Sequence, residues 1–243
     1  MRDYDQTTYG ERVADLYDEL YGALDPGPAA SFLADLAGAG PALELGIGTG
    51  RVALPLKERG VEVHGIDASP AMVERLRAKP GGADLPVTIG DFADVAPAGP
   101  FSLVFVVFNT LFALPTQDDQ VRCFGNVAAR LAPGGRFVVE AFVPDLTRFH
   151  HDQALLVTAV EVGGVRIDAS RHDRLAQRIS AQHVIVGERG VRLVPVELRY
   201  AWPAELDLMA RVAGLRHAGR WGGWAMQPFT AASGVHVSVY EKL

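Results

Sequence analysis

At 243 residues, 49% hydrophobic and 21% charged, the chain carries enough apolar material for one substantial core with an elaboration. Its net charge of −6, with no dense Lys/Arg stripe, argues against an electrostatic grip on nucleic acid. The longest apolar run, 103–114, is broken by Asn109-Thr110 and too short to span a membrane. Met1-Arg2-Asp3-Tyr4-Asp5 lacks the apolar centre of a signal peptide, so a cytoplasmic protein is expected.

In chain order, Val13, Leu16, Tyr17, Leu20 and Tyr21 recur at spacings of three and four, which predicts an amphipathic helix within 11–24. Asp25-Pro26-Gly27-Pro28 ends it, and a second helix is expected over 29–37. A short apolar strand, 42–45, then runs into Gly46, Gly48 and Gly50, followed by a helical pattern at Val52, Ala53 and Leu56. Strand 61–67 ends in Asp67, after which Ser69 can cap a helix and Pro70 suits its first turn. Strand 86–89 leads into Gly90-Asp91-Phe92. Strand 101–108 is apolar almost throughout, as a parallel strand covered on both faces should be. Helix 117–131, the turn Ala132-Pro133-Gly134-Gly135 and strand 136–142 follow, with the lone Cys123 expected to be a small buried residue. Between 144 and 200 the pattern changes: Gly163-Gly164 and the glycines at 187 and 190 separate β-forming runs. Three or four inserted antiparallel strands are predicted there. Helix 203–213 and strands 216–226 and 235–242 complete the chain.

A strand, a glycine turn and a helix N-terminus make a nucleotide-sized cradle. Two registers fit these residues. Gly48-x-Gly50-x-x-Ala53 satisfies a dinucleotide pattern and implies an NAD-binding oxidoreductase, with Gly46 inside the strand and Glu44 in a buried segment. Glu44-x-Gly46-x-Gly48-x-Gly50 instead puts the acid at the strand's carboxyl end. It resembles the first motif of class I S-adenosylmethionine (SAM) dependent methyltransferases. Ile66-Asp67-x-Ser69-Pro70-x-Met72 is similar to that family's second motif, Gly90-Asp91-Phe92 to its adenine clamp, and Leu131-x-Pro133-Gly134-Gly135 to the turn before its fifth strand. The resemblance covers 11–142, and 203–243 in architecture alone.

It implies an α/β, Rossmann-like fold: a seven-stranded, mostly parallel sheet with helices on both faces and an inserted antiparallel sheet after strand five. Three parts follow: 1–143 as cap and SAM-binding core, 144–200 as the inserted subdomain, and 201–243 completing the core. The insertion is expected to shape the acceptor pocket, a homodimer interface or both. SAM is the implied methyl donor and S-adenosylhomocysteine the product. Glu44 is expected near the ligand's amino-acid portion, Gly46, Gly48 and Gly50 in the cradle, Asp67 on the ribose hydroxyls with Ala68 beside it, and Met72 beside the adenine. Asp91 would accept from the adenine amino group while Phe92 lines the ring. Ala14-Asp15-Leu16-Tyr17-Asp18-x-x-Tyr21 resembles the N-terminal cap of small-molecule methyltransferases, including those that dimethylate the amino group of nucleotide-linked sugars. In that family the cap tyrosine faces the sulfonium; Tyr17 is the first candidate and Tyr9 the second. Phe108, the last residue of strand four, and Asn109 and Thr110 just past it belong at the methyl-transfer site because ligands bind past the strands' carboxyl ends.

Methyl transfer from a sulfonium needs alignment above all, and a general base only if the acceptor arrives protonated. The base candidates are His150, His151, His172, His183, His217, His236 and Glu140. His150, just past strand five, leads. The amino-sugar enzymes often carry a polar ring shortly after strand four, where this chain has Phe112-Ala113, a departure from their pattern. Trp221, Trp224 and Phe229 read equally as an aromatic acceptor wall or as core of the last strand pair. No metal is expected, because Asp118 and Asp119 stand at a helix start and lack the spacing of the magnesium-dependent catechol-type enzymes. The sequence thus points to methylation of an oxygen or nitrogen on a small-molecule acceptor in specialised metabolism, without nucleic-acid or membrane partners. An NAD-binding oxidoreductase and a SAM-binding protein without transferase activity stay open as alternatives.

Overall fold

The structure is a computed structural model describing residues 1–188 and 190–243. The chain opens with two short helices, α1 (Thr8–Val13) and α2 (Tyr17–Tyr21), where the periodicity predicts one. The Leu16 N–H bonds the Val13 carbonyl at 2.8 Å, closing a tight turn that splits the stripe. Then come α3 (Gly27–Ala37), β1 (Ala42–Leu45), α4 (Ala53–Glu58), β2 (Val63–Asp67), α5 (Pro70–Arg77), β3 (Val87–Ile89) and β4 (Phe101–Val106). A 3-10 turn (Thr110–Ala113) leads to α6 (Gln117–Arg130) and β5 (Leu131–Phe142). The strands β6 (Gln153–Glu161), β7 (Gly164–Asp173), β8 (Arg178–Gly187) and β9 (Gly190–Arg199) precede α7 (Pro203–Val212), β10 (Leu215–Trp221) and β11 (Val235–Lys242). No helix of the described residues is long and apolar enough to cross a membrane.

The main sheet has the order β10-β11-β5-β4-β1-β2-β3, with β11 antiparallel to both its neighbours and β1 to β5 parallel. Alternate side chains face opposite ways, as the pleat requires. Leu43, Leu45, Val104 and Val106 pack under α6 and α7, while Ala42, Leu103 and Phe105 pack under α3 and α4. The chain runs outward from β1 through β2 to β3, then returns to β4 on the other side of β1. That reversal opens a crevice past the carboxyl ends of β1 and β4, the position where open α/β sheets bind ligands.

Strand boundaries differ from the periodicity in several places; β5 begins at Leu131, taking in the expected 132–135 turn as a bulge opposite Phe101 and Leu103. β4 stops at Val106, because Phe108 and Asn109 take left-handed φ values of 55° and 66° and leave the extended chain. β10 stops at Trp221, where the Gly222 N–H turns back to the Gln227 carbonyl at 2.7 Å.

β6 to β9 form a separate four-stranded antiparallel sheet. One face is largely apolar and packs on the rest of the protein, with Ile179 and Ala181 in the main core and Val194 against α1. A buried polar clasp fixes its end to the core. Arg199 donates to Gln120 Oε1 at 2.6 Å and to Glu205 Oε1 at 2.7 Å. Gln120 returns a bond to the Arg199 carbonyl, and Gln177 donates to Glu205 Oε2. Removing one partner from such a pair leaves a desolvated charge behind. The substitution Arg199→Met is therefore expected to cost about 3 kcal/mol, read as a lowered urea midpoint; a loss under about 1 kcal/mol would show that the clasp is dispensable.

Candidate active site

A cavity of about 780 Å³ lies past β1 and β4, roofed by α1 and α2 and walled on one side by the inserted sheet. Its floor is the turn 46–49. Gly46 has φ +70°, and a Cβ there would sit 2.4 Å from Thr110 Cγ2. Gly48 has φ +55°, and its Cβ would press on Met72 Cε at 3.2 Å. Both positions favour glycine for conformation, and Gly46 for space as well. Gly46 follows the last residue of β1, so it belongs to the turn and not to the strand, as the methyltransferase register requires.

Of the carboxylates that line the cavity, Asp67 and Glu44 stand at the ends of β2 and β1. Asp67, at the end of β2, accepts from the Gly48 N–H at 2.7 Å and from the Ser69 N–H at 2.9 Å. Each oxygen keeps a lone pair for a ligand donor. Burial raises its pKa against the pull of those amides. Glu44 is 2% exposed, and its Oε2 has no partner in the protein. Burial pushes it up to about 8, outweighing the opposing pulls of the Arg51 guanidinium and the Ala53 N–H. A buried, unpartnered carboxyl facing a cavity is a seat for a ligand cation, which fits the ammonium of an amino-acid moiety. Ala68 and Met72 continue the wall beside Asp67, and Asp91 and Phe92 follow after β3, with Asp91 Oδ1 fixed by the Ala93 N–H at 2.8 Å.

The roof is aromatic. Tyr17 and Tyr21 lie 4.9 Å apart by ring centroid, Tyr21 and Phe108 5.0 Å, and the Tyr9 and Tyr21 hydroxyls 3.5 Å. Burial raises the Tyr9 and Tyr17 phenols above their ordinary value, with Arg51 pulling Tyr17 the other way. Polar bonds lock the roof onto the floor: Ser69 Oγ donates to Glu11 at 2.8 Å and Thr49 Oγ1 to Asp18 at 2.8 Å. Beneath it, the Arg51 guanidinium lies 4.9 Å from the Phe108 ring centroid.

A family model described as "Methyltransferase domain" matches residues 42–135. The structure is similar to that of the CcbJ methyltransferase from Streptomyces caelestis, with a TM-score of 0.93 and 45% sequence identity over 98% of this chain and 99% of that one. The chain belongs to the class I SAM-dependent methyltransferases. It is also 28% identical to the cypemycin N-terminal methyltransferase of a Streptomyces species, over 98% of this chain and 99% of that protein. A dTDP-4-amino-2,3,4,6-tetradeoxy-D-glucose N,N-dimethyltransferase of Saccharopolyspora spinosa is 30% identical over 55% of this chain and 56% of its own length. Neither the NAD oxidoreductase reading nor that of a binding protein without transferase activity gains support.

In this methyltransferase the cofactor candidates named from the sequence, Gly50 apart, line one cavity. Gly50 instead packs behind the turn, where a Cβ would meet Leu76 Cδ1 at 2.3 Å. Among the catalytic candidates, Tyr17 and Asn109 line the cavity and His150 does not. The Asn109 carboxamide oxygen is already engaged by the Phe142 N–H at 2.7 Å, leaving its amide nitrogen for other partners. His150 is exposed: it exchanges backbone hydrogen bonds with Gln153, and His151 and Asp152 turn the chain outward at φ 47° and 61°.

Other base candidates are occupied or remote. Glu140 takes the Phe108 N–H and the Trp224 indole N–H on its two oxygens, each at 2.7 Å. His172 bonds the Tyr200 hydroxyl, His217 is exposed on β10, and burial holds the pKa of His236 down to about 4. Trp221 and Trp224 pack on Phe32, and with Phe229 they stand outside the cavity lining, which favours the core reading. Of the histidines, His183 lines the cavity. Arg51, which sequence reasoning missed, had one signal: a cation directly after the last glycine of the turn.

Glu44 makes the site pH-dependent. Its folded pKa lies above its unfolded one, so its contribution to stability falls as pH rises from the ordinary carboxylate range through about 8. Glu44→Gln is expected to raise the melting temperature of the ligand-free protein by an amount that grows across that window. It should also weaken SAM binding about tenfold or more and abolish the proton released on binding near pH 7. Calorimetry in buffers of different ionisation enthalpy reads the proton; unchanged release in the variant would contradict this role.

Proposed function

We propose that this enzyme methylates the nitrogen of a basic amine on a small molecule. The observation that carries this reading is the aromatic roof of Tyr9, Tyr17, Tyr21 and Phe108 above a cavity lined by more carboxylates than guanidiniums. Aromatic faces and acids together favour a cation. Arg51, already seated over Phe108, illustrates the kind of charge this box holds. The cypemycin N-terminal methyltransferase and the dTDP-amino-sugar N,N-dimethyltransferase, whose names place the methyl on nitrogen, support the same acceptor class.

When bound, SAM supplies a methyl group already activated by its sulfonium. In this reading Asp67 accepts the ribose hydroxyls, Glu44 holds the ammonium, and the turn 46–49 lies under the amino-acid portion. Asp91, Phe92 and Met72 hold the adenine. Tyr17 and Tyr9 flank the transferring methyl, and Phe108 with Asn109 shapes the passage to the acceptor. The three parts then divide the work: 1–143 holds the donor, 144–200 walls the acceptor side, and 201–243 closes the sheet. The net charge of −6 supports a small-molecule acceptor over nucleic acid, in a cytoplasmic setting.

The test is a panel of small primary and secondary amines beside their alcohol counterparts, incubated with SAM and followed by mass spectrometry. Methylated amines with unmodified alcohols are expected. Methylated alcohols with unmodified amines would move the acceptor to oxygen.

A further inference from the structure

The covered face of the inserted sheet is largely apolar where it meets the cavity and cap, through Ile179, Ala181, Val194, Val196 and Leu198. Into this face is set one carboxylate–imidazole pair. Asp168 on β7 stands directly opposite His183 on β8, and its Oδ1 lies 2.5 Å from His183 Nδ1. Both side chains line the cavity, 29% and 31% exposed, so the pair is neither sealed in the core nor fully solvated. On the other side His183 is paired with Val194 of β9, which packs in one cluster with Val13, Tyr9 and Tyr17. The imidazole therefore stands at the acceptor wall, beside the roof over the donor site.

We propose that His183, oriented by Asp168, is the general base that takes the proton from the acceptor nitrogen. This rests on the amine reading above. A basic amine is an ammonium near neutral pH and has no lone pair to offer until a proton leaves. Imidazole is the side chain suited to take a proton in that range. A carboxylate can only accept, so Nδ1 carries the proton toward Asp168 and the Nε2 lone pair is left free. Arg178, paired with Glu197, and Arg148 also line the cavity. Charged and titratable neighbours of the pair include Arg166 on β7, tied to Glu161, Arg192 on β9, tied to Asp15 of the cap, and Tyr9 and Tyr17 of the roof. Arg166 and Arg192 thus have their own carboxylates, and Asp168 is left to compensate the imidazolium.

In the step, the ammonium N–H bond breaks, the proton moves to Nε2 and the electron pair stays on nitrogen. That pair forms the new N–C bond to the methyl carbon as the C–S pair returns to sulfur. His183 then passes its proton to solvent before the next turnover.

Two measurements test the proposal. In the first, protein labelled with 15N-histidine and saturated with S-adenosylhomocysteine is observed by NMR at pH 7–8, with His183→Gln assigning the ring. A His183 ring protonated on Nδ1 and bare on Nε2, a preference lost in Asp168→Ala, is expected. The opposite tautomer would overturn the proposal. In the second, kcat is followed against pH with an amine that the wild type methylates. His183→Gln should keep its S-adenosylhomocysteine affinity within about twofold, lose about a hundredfold in kcat and lose the fall in rate toward acid pH. A variant that keeps both the rate and its acid limb overturns this role alone. A wild type that methylates only alcohols overturns the amine reading, and this proposal with it.

Discussion

The hydrogen bond from the Gly48 amide to Asp67 holds the floor of the cavity together. It ties the turn after β1 to the end of β2 at 2.7 Å, and the second Asp67 oxygen takes the Ser69 amide at the head of α5. One carboxylate thus fixes the relative positions of two strand ends and a helix start. Ser69 carries the chain of contacts upward by capping α5 and donating to Glu11 of the roof. The left-handed glycines on the floor let this approach happen, since a side chain at Gly46 would strike Thr110.

Around that frame the cavity keeps unsettled charge. Glu44 is buried with an unpartnered oxygen, and Arg51 has a buried Nε that no acceptor meets. Such groups cost stability in a ligand-free protein, and they persist where a ligand completes them. The left-handed residues Phe108 and Asn109 are a second local cost. Glu140 fastens the Phe108 amide, and the Asn109 side chain fastens Phe142, so the strained pair is held from both sides. This directs the Phe108 ring toward Tyr21 and Arg51.

What the sequence revealed tracks how local each signal is. Gly46, Asp67 and Asp91-Phe92 were legible as candidates because each stands at or just past a strand end, where short-range turn chemistry marks it. The inserted sheet was legible from its glycine turns. The break between α1 and α2 was not, because the helical stripe runs straight through it. His183 was one histidine among several, and its partner Asp168 is fifteen positions away, joined to it only by strand register. His150 led because it follows β5 in sequence, but one local backbone exchange with Gln153 turns it outward. Glu140 was read as a chemical group, whereas both its oxygens serve the backbone of Phe108 and the indole of Trp224.

The most direct test of the account is calorimetric titration of wild type and Asp67→Ala with SAM, S-adenosylhomocysteine and NAD, beside a thermal melt of each protein. SAM and S-adenosylhomocysteine are expected to bind the wild type and to lose about a hundredfold in affinity for a variant that still folds, with no binding of NAD to either. Tight NAD binding, or SAM binding untouched by the substitution, would contradict the account.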